Sequence, residues 1–292
     1  MQLKQSLASA IARFTTAQVP SPRLNAELLL MFTLNCDRAY LFAHPERKLS
    51  QDEQSRYESA LDERARGVPA QYITRHQEFW GMDLIVSPAV LIPRPETEHT
   101  IETILDCVER APLRQAQGKL SPARPYRIAD VGTGSGAIAL ALAKEFPTAE
   151  IHATDISAPA LEVARANAVR LQLEDRIEFH QTDLLAGLDP PFDFIVSNPP
   201  YVGESEEDEV QLEVRKFEPR YAVFAGPTGL EVIARLIPQA YAALLPQGWL
   251  IMEISGSIAD ETKHLLREWD AVRVLPDLQS IPRIAIARKP RN

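Results

Sequence analysis

Residues 128–136 read Ile128-Ala129-Asp130-Val131-Gly132-Thr133-Gly134-Ser135-Gly136, an apolar run that passes into a glycine at every second position and then into the helical spacing of 137–145. A short aliphatic run bounded by glycine is the pattern of a buried strand, so the stretch is a strand, a sharp turn and a helix. Gly132, Gly134 and Gly136 allow the tight turn and leave room for a ligand where a Cβ would stand. The helix behind them offers unpaired N–H groups and the positive end of its dipole.

Outward from this unit, strand and helix alternate to the end of the chain. Strand patterns fall at 126–131, 150–154, 176–180, 192–197, 248–254, 272–275 and 284–287, and helical patterns at 135–145, 159–171, 229–245 and 258–269. Such alternation predicts an α/β fold, a mostly parallel sheet covered on both faces. Only 276–283 joins the last two strands, too little for a parallel crossover of about a dozen residues, so they are expected to pair antiparallel at one end of the sheet. Toward the N-terminus, 3–67 has helical spacing, with breaks at Pro20-Ser21-Pro22, Asn35-Cys36-Asp37 and His44-Pro45. Ser21 before Pro22, and Ser50 before Gln51-Asp52-Glu53, have the form of helix N-caps. Around Gly81 the period changes to two, predicting a β-hairpin within 71–92. The expected organisation is a helical N-terminal domain over 1–70, a hairpin, helix and exposed connection over 71–125, and a catalytic domain over 126–292. The 112–125 connection has no clear period and is expected to carry no chemistry.

The chain has 292 residues, 45% of them hydrophobic and 24% charged, with a formal net charge of −9. That composition is a soluble globular one, and the negative balance argues against long nucleic acid held by phosphate contacts. Cys36 and Cys107 lie far apart without CxxC spacing, and His44, His76, His99, His152, His180 and His264 are scattered. No disulfide framework and no metal site are expected from that spacing. No apolar run approaches the roughly 18 residues of a membrane span, and no signal-peptide pattern opens the chain, so a cytoplasmic address is expected.

The chemistry is concentrated at strand ends. Asp155 ends the second strand of the alternating region, where a carboxylate can accept both hydroxyls of a ribose. Asp183 follows the third, within reach of a base edge. With the glycine turn, these acids describe a site for an adenosine-bearing cofactor. A dinucleotide satisfies the glycine pattern, but Asp130 just before the turn is poorly placed for a pyrophosphate. It suits a cationic ligand with an amino group, such as the methionyl part of S-adenosylmethionine. The fourth strand ends Asp193-Phe194-Ile195-Val196-Ser197-Asn198-Pro199-Pro200-Tyr201. The prolines cannot donate to a ladder, so pairing stops at Asn198 and its carboxamide stands at the carboxyl edge of the sheet. The fourth strand normally lies beside the first, which would turn Asn198 toward the cofactor. The Asn198 carbonyl oxygen and the Pro199 backbone carbonyl can each accept one hydrogen of a planar NH2 group, with Tyr201 packed on that group.

Asn198-Pro199-Pro200-Tyr201 is the motif of methyltransferases acting on planar NH2 groups. With 130–136, with Ile92-Pro93-Arg94-Pro95-Glu96-Thr97-Glu98, and with the helical N-terminal domain, the chain resembles the PrmC/HemK family, the peptide chain release factor glutamine methyltransferases, over almost its whole length. Glu218-Pro219-Arg220 and Gly229-Leu230 match the family segment after the active loop. The resemblance implies a class I S-adenosylmethionine-dependent methyltransferase fold, Rossmann-like and seven-stranded. It implies that Gly132, Thr133, Gly134, Ser135, Gly136, Asp155, Asp183 and Leu184 line the cofactor site, that Asn198 to Tyr201 hold the glutamine, and that Arg94 to Thr97 close over the cofactor. It implies as substrate the glutamine of the Gly-Gly-Gln motif of class I release factors, docked by the N-terminal domain. The enzyme is expected to act as a monomer without direct nucleic-acid or membrane contact. Ser255, Ser257 and Ser280 stand where the family usually has glycine. A related enzyme methylating a ribosomal-protein glutamine typically reads Pro-Arg-Ser-Pro at 93–96. A DNA adenine methyltransferase shares the proline motif but normally adds a basic target-recognition domain. A nicotinamide dehydrogenase would explain the glycine turn and leave Asn198 to Tyr201 without a purpose.

Overall fold

The computed structural model describes residues 1–110 and 124–291. Most of the 112–125 connection expected from the sequence lies outside the described residues. Two compact units divide the chain, Met1–His76 with Gln211–Phe217, and Gln77–Val210 with Glu218–Asn292.

The first unit opens with α1 (Leu3–Thr16), α2 (Pro22–Leu34), α3 (Arg38–Ala43), α4 (Gln51–Ala65) and α5 (Ala70–Thr74). Leu3, Phe14, Leu29, Leu30, Tyr57 and Leu61 form its core, and the Tyr57 hydroxyl donates to the Ala26 carbonyl (2.9 Å), so the buried phenol is paired. Ser50 and Glu53 make the reciprocal cap of α4 expected from the sequence, each side chain accepting from the other's backbone N–H. Ser21 makes no such bond: its backbone is left-handed (φ 47), and Asn25 instead donates to the Pro20 and Ser21 carbonyls.

In the second unit β1 (His76–Phe79) and β2 (Met82–Ile85) form the expected hairpin. It is shorter than 71–92 because 70–74 is helical. Trp80 and Gly81 both have positive φ, the requirement of a two-residue hairpin turn whose twist matches its strands. Then follow α6 (Glu98–Arg110), β3 (Arg127–Val131), α7 (Ala137–Glu145), β4 (Glu150–Asp155), α8 (Ala158–Arg170), β5 (Ile177–Gln181), β6 (Phe192–Ser197) and β7 (Val202–Gly203). After α9 (Leu212–Phe217), which clusters with the first unit, come α10 (Arg220–Val223), β8 (Phe224–Gly226), α11 (Glu231–Ala243), β9 (Leu244–Glu253), α12 (Ala259–Leu265), β10 (Asp270–Pro276) and β11 (Pro282–Arg288). Arg64, 4% exposed, ties α9 to the first unit: it pairs with Glu213 (2.9 Å) and donates to Asn25 Oδ1 (2.7 Å) and the Val68 carbonyl (3.1 Å).

Seven strands form one sheet in the order β10-β11-β9-β6-β3-β4-β5. All neighbours run parallel except β11, which is antiparallel to both β9 and β10. Side chains alternate between two cores: Ile128, Phe194 and Val196 pack on one face with α7, and Ala129, Val131 and Ile195 on the other with α11. Strand order turns back between β3 and β6, so their carboxyl ends border the crevice where open α/β sheets bind ligands. The register sets Asp130 opposite Val196 and Val131 opposite Ser197, and the Ser197 hydroxyl donates to the Val131 carbonyl (2.7 Å). The glycine turn and Asn198 leave the sheet side by side.

Candidate active site

A cavity of about 340 Å³ opens at the carboxyl ends of β3, β4 and β6. Gly132, Thr133, Gly134 and Ser135 form one wall. A Cβ placed on Gly132 or Gly134 would meet no atom within 4 Å, so the turn presents bare backbone to open space. Gly136, behind this wall and capping α7, is packed against Ala164 and Leu140. The buried Asn167 of α8 holds the turn from beneath: its Nδ2 donates to the Ser135 (2.9 Å) and Ile85 (2.9 Å) carbonyls, and its Oδ1 accepts from Ile85 N (2.6 Å). Nothing in the helical pattern of 158–170 distinguishes this asparagine except its polarity on an apolar face.

Asp155 lies on the cavity wall and accepts from Gly134 N and Ser157 N, both at 2.9 Å. Each oxygen has a second lone-pair site for an incoming hydroxyl. Burial pushes its carboxyl above the usual range, against the pull of these N–H groups. Ile156, 62% exposed, lines the cavity directly after it. An aliphatic side chain left open beside Asp155 offers a flat apolar surface to a planar ligand group, a position the sequence pattern does not single out. Asp183 and Leu184 also line the cavity, but Asp183 Oδ2 is held by Arg235, which tempers the expectation that this carboxylate reaches a base edge.

Asp130 departs from expectation. It is wholly buried and absent from the cavity wall. Its Oδ2 accepts from Thr133 Oγ1 (2.6 Å) and Ala139 N (3.1 Å), bracing the glycine turn against the first turn of α7. Burial lifts its carboxyl to about 7, opposed by those two hydrogen bonds and assisted by Asp155. Its side chain thus shapes the wall from behind.

Asn198 and Pro200 line the cavity, whereas Pro199 and Tyr201 do not. Asn198 Nδ2 donates to Thr97 Oγ1 (3.2 Å), Thr97 Oγ1 donates to Glu253 Oε2 (2.6 Å), and the Tyr201 hydroxyl donates to Glu253 Oε1 (3.0 Å). The Tyr201 hydroxyl thereby anchors the loop. Burial and the neighbouring Glu253 drive its phenol far above the ordinary range. Glu253 is 2% exposed and its own carboxyl is raised by burial.

Thr97 reaches the cavity together with Leu91 and Pro93, but Arg94 does not. Its guanidinium is bound to Glu218 Oε1, while Glu218 Oε2 accepts from Ile92 N (3.0 Å). The 91–97 strap is therefore pinned at both of these points by one buried carboxylate, and Arg94 acts as its rivet. Ser255 and Ser257, where glycine was expected, hydrogen-bond to each other (2.9 Å) in the turn after β9. Ser280 adopts φ 65, the conformation that favours glycine.

Residues 5–74 match the PrmC N-terminal domain family, and residues 118–216 match the methyltransferase small domain family. The release factor glutamine methyltransferase of Koribacter versatilis is 55% identical, the alignment covering 100% of this chain and 100% of that protein. The one from Moorella thermoacetica is 41% identical over 98% of each chain. A 16S rRNA N2 methyltransferase of T. thermophilus, solved in complex with AdoMet and guanosine, shares the fold with a TM-score of 0.53 at 18% identity, over 73% of this chain and 49% of that one.

Proposed function

The chain belongs to the release factor glutamine methyltransferases, and on that premise we propose that it methylates the glutamine of the Gly-Gly-Gln motif of class I release factors in the cavity at the ends of β3 and β6. The observation that carries the assignment of the site is the chain of bonds from Asn198 and Thr97, on the cavity wall, to the buried Glu253 behind it. With Glu253 ionised, its oxygens accept from Thr97 and Tyr201. The Thr97 proton is then committed, so Thr97 Oγ1 can only accept, and the Asn198 group facing it must be the NH2. Asn198 Oδ1 is left for the substrate.

The residues fit S-adenosylmethionine. Bare backbone at Gly132 and Gly134 admits its methionyl part, Asp155 has lone pairs for its ribose hydroxyls, and Ile156 and Leu184 offer apolar surface for its base. When bound, it supplies an electrophilic methyl group on a sulfonium and leaves as S-adenosylhomocysteine. No metal enters this reading.

An amide nitrogen is a poor nucleophile because its lone pair is delocalised into the carbonyl. Asn198 Oδ1 accepts one N–H bond of the glutamine amide from the cavity wall, and the Pro199 backbone carbonyl, carried by the loop just outside that wall, is assigned the other, so that together they fix its plane. As the nitrogen gains the methyl group its N–H bonds become more acidic, and both acceptors bind more strongly in the transition state than in the ground state. One proton is released for each methyl transferred. Pro199 and Pro200 stiffen the backbone that carries these oxygens, so little ordering is needed when the substrate arrives.

The helical unit is the docking element in this reading. Leu24, Phe32 and Phe42 are large apolar side chains exposed on it, at 57%, 47% and 57%. The net charge of −9 supports a protein substrate over direct nucleic-acid contact, and the chain is read as a cytoplasmic monomer. Among the described residues no helix is long and apolar enough to cross a membrane. The test is incubation with labelled methyl donor and a release factor whose Gly-Gly-Gln glutamine is intact or replaced. Label confined to that glutamine is the expected result, and label elsewhere would overturn the assignment.

A further inference from the structure

No metal-ligand spacing is visible along the chain, but the pairing of β4 with β5 creates one. His152 lies opposite Glu178 in the parallel register, and His180 is two residues further along β5. With side chains alternating along a strand, all three share one face of the sheet. His152 Nδ1 and His180 Nε2 stand 3.2 Å apart, and Glu178 Oε2 lies 3.4 Å from the first and 3.7 Å from the second. A tetrahedral ion with bonds of 2.0–2.2 Å holds its ligand atoms about 3.3–3.5 Å apart. The triangle formed here has the dimensions of one face of that tetrahedron.

Each imidazole nitrogen offers a lone pair in the tautomer that carries its proton on the other ring nitrogen, and the carboxylate oxygen offers one as well. One N–H shared between the imidazoles relieves one edge of the triangle. The carboxylate edges are longer than an ordinary N–H···O bond of about 2.7–3.2 Å, so the largely exposed Glu178 is drawn toward both rings by charge and not by a direct hydrogen bond. A cation at the centre relieves all three edges. Phe192 packs edge-on against the His152 ring (5.4 Å between centroids) and fixes its orientation. Arg127 is paired with Glu150 (2.9 Å) and lies over the Phe192 ring (5.1 Å).

We propose that His152, Glu178 and His180 bind a divalent cation of the zinc class, with solvent as the fourth ligand. Two imidazoles and one carboxylate suit such a borderline ion and are the wrong donors for magnesium or calcium. None of the three residues lines the methyl-transfer cavity, so the ion acts on structure. It ties β4 to the edge strand β5, and Asp155 at the end of β4 and Thr182 and Asp183 just after β5 do line the cavity.

The experiment uses the full chain without an affinity tag, stripped by chelator and titrated with Co2+, then with Zn2+ against a chromophoric chelator. One equivalent of Co2+ with the visible bands of a four-coordinate ion, displaced by Zn2+, is expected, together with a Tm that rises with Zn2+ concentration. His180→Gln and Glu178→Gln are the variants, since His152 is too buried for a safe substitution. Their circular dichroism and metal-free Tm report that they fold. Each should weaken binding by roughly 10-fold or more, because changes merely outside the ligand shell already cost about that much. Wild-type affinity in both variants, or no saturable one-to-one binding by the parent chain, overturns the site.

Discussion

At Asn198 the side-chain amide is oriented by a hydroxyl whose only proton is already given to Glu253. Removing the amide in Asn198→Ala is expected to lower kcat by roughly 10²-fold, the scale of losing one positioned transition-state contact, while calorimetry finds cofactor affinity little changed. An unaltered kcat would remove Asn198 from the mechanism. Glu253 acts one step back, as a positioning residue. If it is protonated it can donate to Thr97, whose hydroxyl is then free to donate and no longer demands the Asn198 NH2. Burial raises the Glu253 carboxyl, with Glu96 adding to the shift and Arg283 opposing it. The acid limb of the kcat profile therefore lies above the ordinary glutamate range, activity falling as pH drops through it. Glu253→Gln should abolish that limb and lower kcat with little change in KM, and a profile still shaped like the parent's would refute the coupling. Asp130 acts on stability instead. Its pKa is raised from 3.8 to about 7 in the folded chain, so the folded state holds the proton more tightly than the unfolded one. Its contribution is fully present below about pH 4 and is lost as pH rises toward 7 and beyond. Comparing Tm for Asp130→Asn and the parent chain across that window, the parent should lose ground steadily with rising pH, whereas parallel curves would assign the buried proton elsewhere.

Two short elements hold the reactive loop, and their sequences declare only one of them. The 91–97 strap was legible because prolines and an acidic first turn have obvious backbone meaning. Its attachment was not, since Glu218 lies far along the chain and joins Ile92 N and Arg94 only after folding. The opposite side of the loop is held by β7 pairing parallel with β8, a bridge of so few residues that no period could reveal it. Gly229 sits where these segments meet. It has φ +83, and an added Cβ would stand 2.5 Å from the Tyr201 carbonyl oxygen, a backbone atom that cannot swing aside. Gly229→Ala is thus expected to displace the Asn198–Tyr201 loop, lowering kcat by about 10-fold or more, since small misplacements near the chemistry are costly. Cofactor affinity should hold, because Gly132 and Gly134 in the turn after β3, and Asp155 at the end of β4, lie on other segments. Equal losses of kcat and cofactor binding would mean that the disturbance spreads through the sheet.

For the molecule as a whole, the parallel sheet and its antiparallel end were readable from alternation and connection length, because each depends on local pattern. The assignment of 211–217 to the helical unit was not, because it rests on the reach of Arg64 to Glu213. Acidic side chains were equally ambiguous in sequence. Within Glu204-Ser205-Glu206-Glu207-Asp208-Glu209, Glu207 is bound to Arg220 (2.6 and 3.0 Å) and Glu206 accepts from Gly203 N (3.3 Å). These two serve the loop. Glu204 and Glu209 are exposed and stand a few residues after the acceptor loop, where a protein substrate must approach. Release factor segments flanking the glutamine are expected to present basic groups to them. Exposed ion pairs are worth about 0.2–1 kcal/mol each, so replacing both acids by glutamine should raise the KM for release factor by roughly 2- to 30-fold at low salt. The Debye length shrinks to about 4 Å near 0.5 M salt, and the difference between variant and parent should vanish there while kcat stays constant throughout. A KM defect independent of salt would assign these carboxylates to the shape of the loop and not to the substrate's charge.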